Sequence, residues 1–106
     1  MITITAVIRV KRGAEAAMRK ALMEVVEHVR IQEPKTIDFF VSVGVTEPNV
    51  FTTYERFVDY EAMEAHNAST VVKEVHRVAQ PILESAIVLE TGMEIASSGY
   101  ISKPGV

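Results

Sequence analysis

The sequence predicts a single α+β domain whose elements follow the order β-α-β-β-α-β. Apolar residues alternate along residues 2–10, 36–45 and 50–57, they recur at helical spacing elsewhere, and 106 residues have room for one core. Alternation with a period of two is typical of strands, whereas spacings of three and four residues are typical of helices. Elements in this order form a four-stranded antiparallel sheet with helices on one face, the ferredoxin-like arrangement.

The first strand is predicted over residues 2–10, and helical spacing begins at Ala14. One face of the strand is strongly apolar and carries Ile2, Ile4, Ala6, Ile8 and Val10. The helix that follows buries a stripe formed by Met18, Leu22, Val25 and Val29. Pro34 ends this helix, because the residue before a proline is disfavoured in the α region.

A hairpin is predicted between a second strand at residues 36–45 and a third at residues 50–57. The cluster Thr-Glu-Pro-Asn at residues 46–49 is typical of a turn between two strands. One face of the second strand is expected to carry Ile37, Phe39, Val41, Val43 and Val45. Phe40 is expected on the opposite face, together with Asp38 and Ser42.

Two helical segments are predicted after the third strand. Asp59 is the expected N-cap of a short helix that includes residues 62–66, and Ser69 or Thr70 is expected to cap the next helix. The second segment buries the stripe Val71, Val75, Val78 and Ile82. Pro81 lies near its end and terminates or bends it.

The fourth strand is predicted over residues 85–90, so the domain is expected to span residues 1–91. Residues 92–106 are interpreted as a C-terminal tail that could add a strand or a dimer arm, with strand character around Tyr100 and Ile101. Several strands are apolar on both faces, and an exposed apolar sheet face is a liability in water. We therefore expect a homodimer in which two sheets pack face to face.

The composition excludes several classes of function. A net charge of -3 with scattered Lys and Arg disfavours nucleic acid, and the lack of cysteine excludes disulfides and thiolate metal sites. Neither a signal-peptide pattern nor an apolar run of about 20 residues is visible, which predicts a cytoplasmic protein without membrane contact. Isolated glycines and histidines that lack metal-site spacing give no support for a nucleotide cofactor or a metal.

The segment YERFVDYEAMEAHNAS at residues 54–69 resembles the antibiotic biosynthesis monooxygenase (ABM) superfamily of dimeric α+β barrels. The shared pattern is an acidic and an aromatic residue at a strand end, then Asp, an acidic-apolar helix containing Ala-His, and Ser or Thr. The residues that match it are Glu55, Phe57, Asp59, Glu61, Ala62, Met63, Ala65, His66 and Ser69. The resemblance covers residues 2–89 and implies a ligand pocket between the helices and the sheet of one subunit.

The resemblance implies one of several activities, because the superfamily includes cofactor-independent quinone-forming monooxygenases, haem-degrading oxygenases and an isomerase. Phe57 stands where many members have Trp, and Val71-Val72 replaces a His-Phe pair. Lys-Glu-Val-His at residues 73–76 is similar to the context of a histidine in haem-degrading members. Those members also have an Asn in the first strand, where this chain has Ala6.

The predicted catalytic residues are His66, Tyr54 and Glu55. A neutral imidazole can take a phenolic proton near physiological pH, so His66 is the expected base, with capping or packing of the helix end as the structural alternative. Tyr54 is the expected orienting hydroxyl. Glu55 is a second candidate base if its face of the strand points towards the helices.

The predicted substrate-binding residues are an aromatic wall with a histidine at its edge: Phe57, Phe39, Phe40 and His76. Aromatic walls suit planar apolar ligands, although strand aromatics are often simply core. Tyr54 and Phe57 have opposite pleat parity, so both reach one pocket only if a bulge or the strand end redirects one of them. His28 is interpreted as a surface or boundary residue.

The favoured hypothesis is a cofactor-independent monooxygenase that acts on a small hydroxylated aromatic or quinol, without metal. The alternatives are a non-catalytic dimer that binds a small apolar ligand, a haem-binding or haem-degrading protein that uses His76, and an isomerase of a small sugar-like or keto compound.

Overall fold

The computed structural model describes residues 1–98 and confirms the ferredoxin-like α+β fold. The elements are β1 (Ile2–Arg9), α1 (Glu15–Gln32), β2 (Thr36–Val43), β3 (Val50–Phe57), α2 (Tyr60–Asn67), α3 (Thr70–Ala79) and β4 (Val88–Met93). All strand pairs are antiparallel, and the order across the sheet is β2-β3-β1-β4. The two helical segments predicted after β3 are both present.

The core lies between the inner face of the sheet and the helices. The inward residues of β1 are all buried because the alternation places Ile2, Ile4, Ala6 and Ile8 on one side. The predicted stripe of α1, comprising Met18, Leu22, Val25 and Val29, is buried against them. A second, smaller cluster forms where Phe57 packs with Ile2, Ile4 and Ala62. The site described below adjoins this second cluster.

Two side chains cap α2 and α3 as the sequence predicts. The Asp59 carboxylate accepts a hydrogen bond of 2.8 Å from the backbone N–H of Ala62, which satisfies a free donor at the start of α2. The Ser69 hydroxyl accepts from the N–H of Val72 at 3.3 Å and donates to the carbonyl of His66 at 2.7 Å. Ser69 therefore fixes the start of α3 and the end of α2 together.

The second strand differs from its prediction at its end and at Ile37. β2 ends at Val43, so Val45 does not contribute to the inner face and is fully exposed. Ile37 was also expected to face inward, but the register with β3 shifts between Thr36 and Asp38 and leaves it exposed. A bulge of this kind displaces one side chain from the pleat.

The last strand, β4, starts three residues later than the sequence predicts and extends into the segment interpreted as a tail, through Gly92 and Met93. All of its residues are exposed, because β4 pairs with β1 while the helices pack over the other strands. The strand character expected around Tyr100 and Ile101 lies outside the described residues.

The outer face of the sheet carries an ion-pair network and several exposed apolar side chains. Arg56 donates to Asp38 at 2.7 Å and to both carboxylate oxygens of Glu94, at 2.8 and 2.9 Å. Phe40 and Tyr54 are opposite each other in the β2–β3 register, and both are exposed. Among residues 1–98, no helix is long and apolar enough to cross a membrane.

Candidate functional site

An inner cavity of about 70 Å³ lies between the sheet and the helices. Most of its wall is apolar and comes from β1, α1 and α3, with Phe39 of β2 on one side. The polar groups of the wall are Thr53, Glu55, His66, Asn67 and His76. An apolar cavity with a few convergent polar groups is the usual form of a small-molecule site.

His66 lies in the last turn of α2 and points into the protein, with 3% of its surface exposed. Its Nδ1 is 2.8 Å from Oε1 of Glu33, and its Nε2 is 3.4 Å from Oε1 of Glu55. The ring packs against two aromatic rings, with centroid distances of 5.5 Å to Phe39 and 5.2 Å to Phe57. The imidazole therefore has one carboxylate at each of its two nitrogens and packs against two aromatic rings.

Threonine hydroxyls anchor both carboxylates. Thr36 donates to Oε1 of Glu33 at 2.7 Å, and Thr53 donates to Oε2 of Glu55 at 2.8 Å. Glu55 is itself buried, so this hydrogen bond and the nearby His66 ring offset part of the cost of removing a carboxylate from water. Each carboxylate is thus kept at the imidazole by a second contact.

The environment of His66 raises the pKa of its imidazole above the ordinary value of 6.5. Burial acts in the opposite direction, because a charged ring is less stable away from water, but the hydrogen bonds and charges of Glu55 and Glu33 outweigh it. His66 therefore keeps its second proton to a higher pH than an exposed histidine.

The structure brings four of the predicted site residues to the inner cavity: His66, Glu55, Phe39 and His76. Phe57 contacts the His66 ring but has no exposed surface, so it supports the site from beneath.

Tyr54 and Phe40 are not brought together with His66. They lie on the outer face of the sheet, 41% and 57% exposed, because no bulge in β3 redirects Tyr54 from its pleat position. Because Tyr54 and Phe57 have opposite parity in the strand, Phe57 faces the helices and Tyr54 faces away from the cavity.

Glu33 is the residue that sequence reasoning missed. It is the C-cap of α1, directly before Pro34, where an acidic side chain is normally exposed. The only sequence signal is an acidic residue at a helix end, which does not reveal a contact with a histidine in another helix. Glu33 also lines a second opening, an outer cleft of about 440 Å³ shared with His28, Thr36 and His66.

The comparisons with known proteins agree with this architecture. The profile of the family named antibiotic biosynthesis monooxygenase matches residues 1–78. The chain belongs to this family. The predicted ABM resemblance is thereby confirmed over residues 1–78, a region that runs from β1 to the last turn of α3 and includes every residue that holds His66.

Three solved structures illustrate the breadth of the fold. The protein SO0527 of Shewanella oneidensis is 29% identical, with a TM-score of 0.78 and coverage of 86% of this chain and 87% of that one. A protein of Caulobacter crescentus that carries the ABM family name is 20% identical, with a TM-score of 0.82 and 90% of each chain covered. Rv0793 of Mycobacterium tuberculosis is 13% identical, with a TM-score of 0.84 and coverage of 92% and 98%. Among curated proteins, none matches the sequence.

ABM membership supports a small-molecule function, either of monooxygenase type or ligand binding. The family is generally cofactor-independent. Within residues 1–98, no three or more His, Cys, Asp or Glu side chains are arranged to hold a metal ion. That no cofactor is needed here stays a prediction.

Proposed function

We propose that this ABM protein is a cofactor-independent monooxygenase that oxidises a small hydroxylated aromatic compound or quinol. The observation that carries the proposal is the buried His66–Glu55 pair at the polar end of an otherwise apolar cavity. The apolar wall would bind the ring, and the pair would bind its hydroxyl group. His66 is the proposed base, as expected from the sequence.

The contacts of the pair favour a ligand that donates a hydrogen bond. When the ring is neutral and donates Nδ1–H to Glu33, the lone pair of Nε2 faces Oε1 of Glu55. Two acceptors then lie 3.4 Å apart at the cavity, and a ligand that donates a hydrogen bond to either of them relieves their repulsion. A substrate hydroxyl meets this requirement and can pass its proton to Nε2.

Removal of this proton makes the substrate rich enough in electrons to react with dioxygen. At a ring carbon bearing one hydrogen, a carbon–oxygen bond forms with dioxygen while the deprotonated hydroxyl becomes a carbonyl, and the proton held by His66 returns to the peroxide. Cleavage of the oxygen–oxygen bond then leaves a second carbonyl at that carbon and releases water, which carries the ring hydrogen and the returned proton. All four electrons come from the substrate, so no other reductant is required.

The size of the inner cavity limits the ligand. Its volume is about 70 Å³, whereas an engineered cavity that binds benzene measures about 150 Å³. A single ring would therefore enter only with movement of the wall, and we expect this at the side of β4, where Leu89 lines the cavity and is half exposed. The same comparison disfavours haem, since cofactor sites measure about 300–1,000 Å³.

The proposal predicts oxygen uptake by metal-stripped protein with single-ring hydroquinones, above the autoxidation rate of heat-inactivated protein. Naphthols and anthrones serve as larger comparison substrates, and we expect slower turnover of them because of the cavity size. Product mass under labelled dioxygen checks that one oxygen atom enters the ring. Saturable binding without uptake would contradict the proposal and favour the ligand-binding alternative. Turnover without oxygen would favour an isomerase.

We also propose a homodimer in the cytoplasm, formed through the outer face of the sheet. Phe40, Tyr54 and Val88 are exposed there, beside the Arg56 network. Light scattering at micromolar concentration is expected to give twice the 11.7 kDa of one chain. Phe40→Asp should produce monomers, because it places a charge in the proposed contact. A monomeric wild-type mass would contradict this arrangement.

A further inference from the structure

We infer that Glu33 is a positioning residue, which holds the proton of neutral His66 on Nδ1 and so leaves Nε2 free to act on a ligand in the inner cavity. This inference rests on the proposed role of His66. It concerns a residue outside the segment that resembles the family pattern, and it assigns the two carboxylates at His66 different tasks.

The two carboxylates differ in the space they face. Glu55 and Thr53 line the inner cavity, whereas Glu33 and Thr36 line the outer cleft. His66 lines both and forms part of the wall between them. A ligand in the inner cavity can therefore touch Nε2 and Glu55, while Glu33 acts on the opposite nitrogen.

The distances decide which nitrogen keeps the proton of the neutral ring. Nδ1 is 2.8 Å from Glu33, a normal hydrogen-bond length, whereas Nε2 is 3.4 Å from Glu55, beyond the ordinary range. The stronger acceptor contact is thus at Nδ1. If the proton were instead on Nε2, it would point to Glu55 and the ring could not accept a substrate proton from the cavity.

Glu33 has a polar neighbour at each of its two carboxylate oxygens. Thr36 donates to Oε1, and Nε2 of His28 lies 2.9 Å from Oε2. The ionisable groups around the pair are thus Glu55 from β3 and His28 from α1, with Lys35 also lining the outer cleft. Oε2 of Glu33 is buried, and its contact with His28 lacks the alignment of a hydrogen bond.

The inference is tested by measuring the tautomer and the titration of His66. Long-range proton–nitrogen correlation spectra of the imidazole rings report both. In the wild-type protein above the pKa of His66, the neutral ring should carry its proton on Nδ1. A neutral ring protonated on Nε2 would overturn the inference, and this measurement needs no variant.

Glu33→Gln keeps the shape of the side chain and removes its charge. We expect the pKa of His66 to fall, because one of the two carboxylates that stabilise the charged ring is gone, and part of the neutral population to move to the Nε2–H form. Glu27→Gln removes an exposed carboxylate from the same helix and should change neither. A His66 titration and tautomer unchanged by Glu33→Gln would also overturn the inference.

These spectra separate the inference from the proposed activity, because they need no substrate. If the protein oxidises a hydroquinone, Glu33→Gln should lower kcat about tenfold, less than the loss of the base itself, and shift the acidic limb of kcat/KM to lower pH. If no substrate is turned over but the tautomer is as expected, the proposed function fails and the positioning role of Glu33 stands.

Discussion

Replacement of His66 by glutamine is expected to lower kcat/KM for oxygen-dependent turnover by about 10²–10⁴-fold, the usual contribution of a positioned proton acceptor. Glutamine fills most of the space of the imidazole and can still hydrogen-bond to Glu33, but its amide cannot take a proton near neutral pH. The variant therefore tests proton transfer and leaves the apolar wall of the cavity in place. Oxygen uptake with the best substrate of the hydroquinone panel measures the effect.

The pH dependence of the wild-type enzyme checks the same group. His66 acts as a base only when neutral, so kcat/KM should fall as the pH drops through its pKa. Because Glu55 and Glu33 raise that pKa above 6.5, the acidic limb should lie at higher pH than for an exposed histidine. The residual activity of His66→Gln should not show this fall of kcat/KM at acidic pH.

Glu27→Gln is the control for His66→Gln, since Glu27 is exposed on α1 and pairs with Arg30. It should keep wild-type kcat/KM and the wild-type pH profile. Equal activities of the wild type and His66→Gln would show that His66 is structural and would remove it from the proposed mechanism. A loss of activity accompanied by a loss of folded protein would call for comparison at matched folded fractions.

The position of His66 could be predicted from local sequence because local rules determine it. Asp59 caps α2, and the helical period then brings His66 to the same face as Ala62, which packs on the sheet. Strand alternation likewise predicts that Glu55 and Phe57 share the inner face, as both do. Each of these predictions depends on fewer than about ten consecutive residues.

The contact between Glu33 and His66 could not be predicted in this way. The two residues are 33 positions apart, and their meeting depends on how the end of α1 lies against α2. The exposed Ile37 depends on a bulge in the neighbouring pair of strands, and the late start of β4 depends on its pairing with β1. Such features follow from tertiary packing, which overrides local strand patterns.

Phe57→Ala is expected to reduce the free energy of unfolding by about 3–5 kcal/mol, the usual cost of removing a buried phenylalanine ring. Phe57 has no exposed surface and contacts Ile2, Ile4 and Ala62 in the smaller core cluster. A domain of this size has a total stability of about 5–15 kcal/mol, so the variant should be near the limit of folding. Urea denaturation at one fixed protein concentration measures the change.

The comparison with Ile31→Ala separates the role of Phe57 as core from the predicted role as a ligand wall. Ile31 is exposed on α1, so its truncation should change stability by no more than about 0.5 kcal/mol. If Phe57 were a wall of a ligand site, Phe57→Ala would behave like Ile31→Ala in urea and would change only KM. We expect Phe57→Ala to lower the stability far more than Ile31→Ala does. The Phe57 ring supports His66 at a centroid distance of 5.2 Å, and its loss leaves a cavity beneath the imidazole.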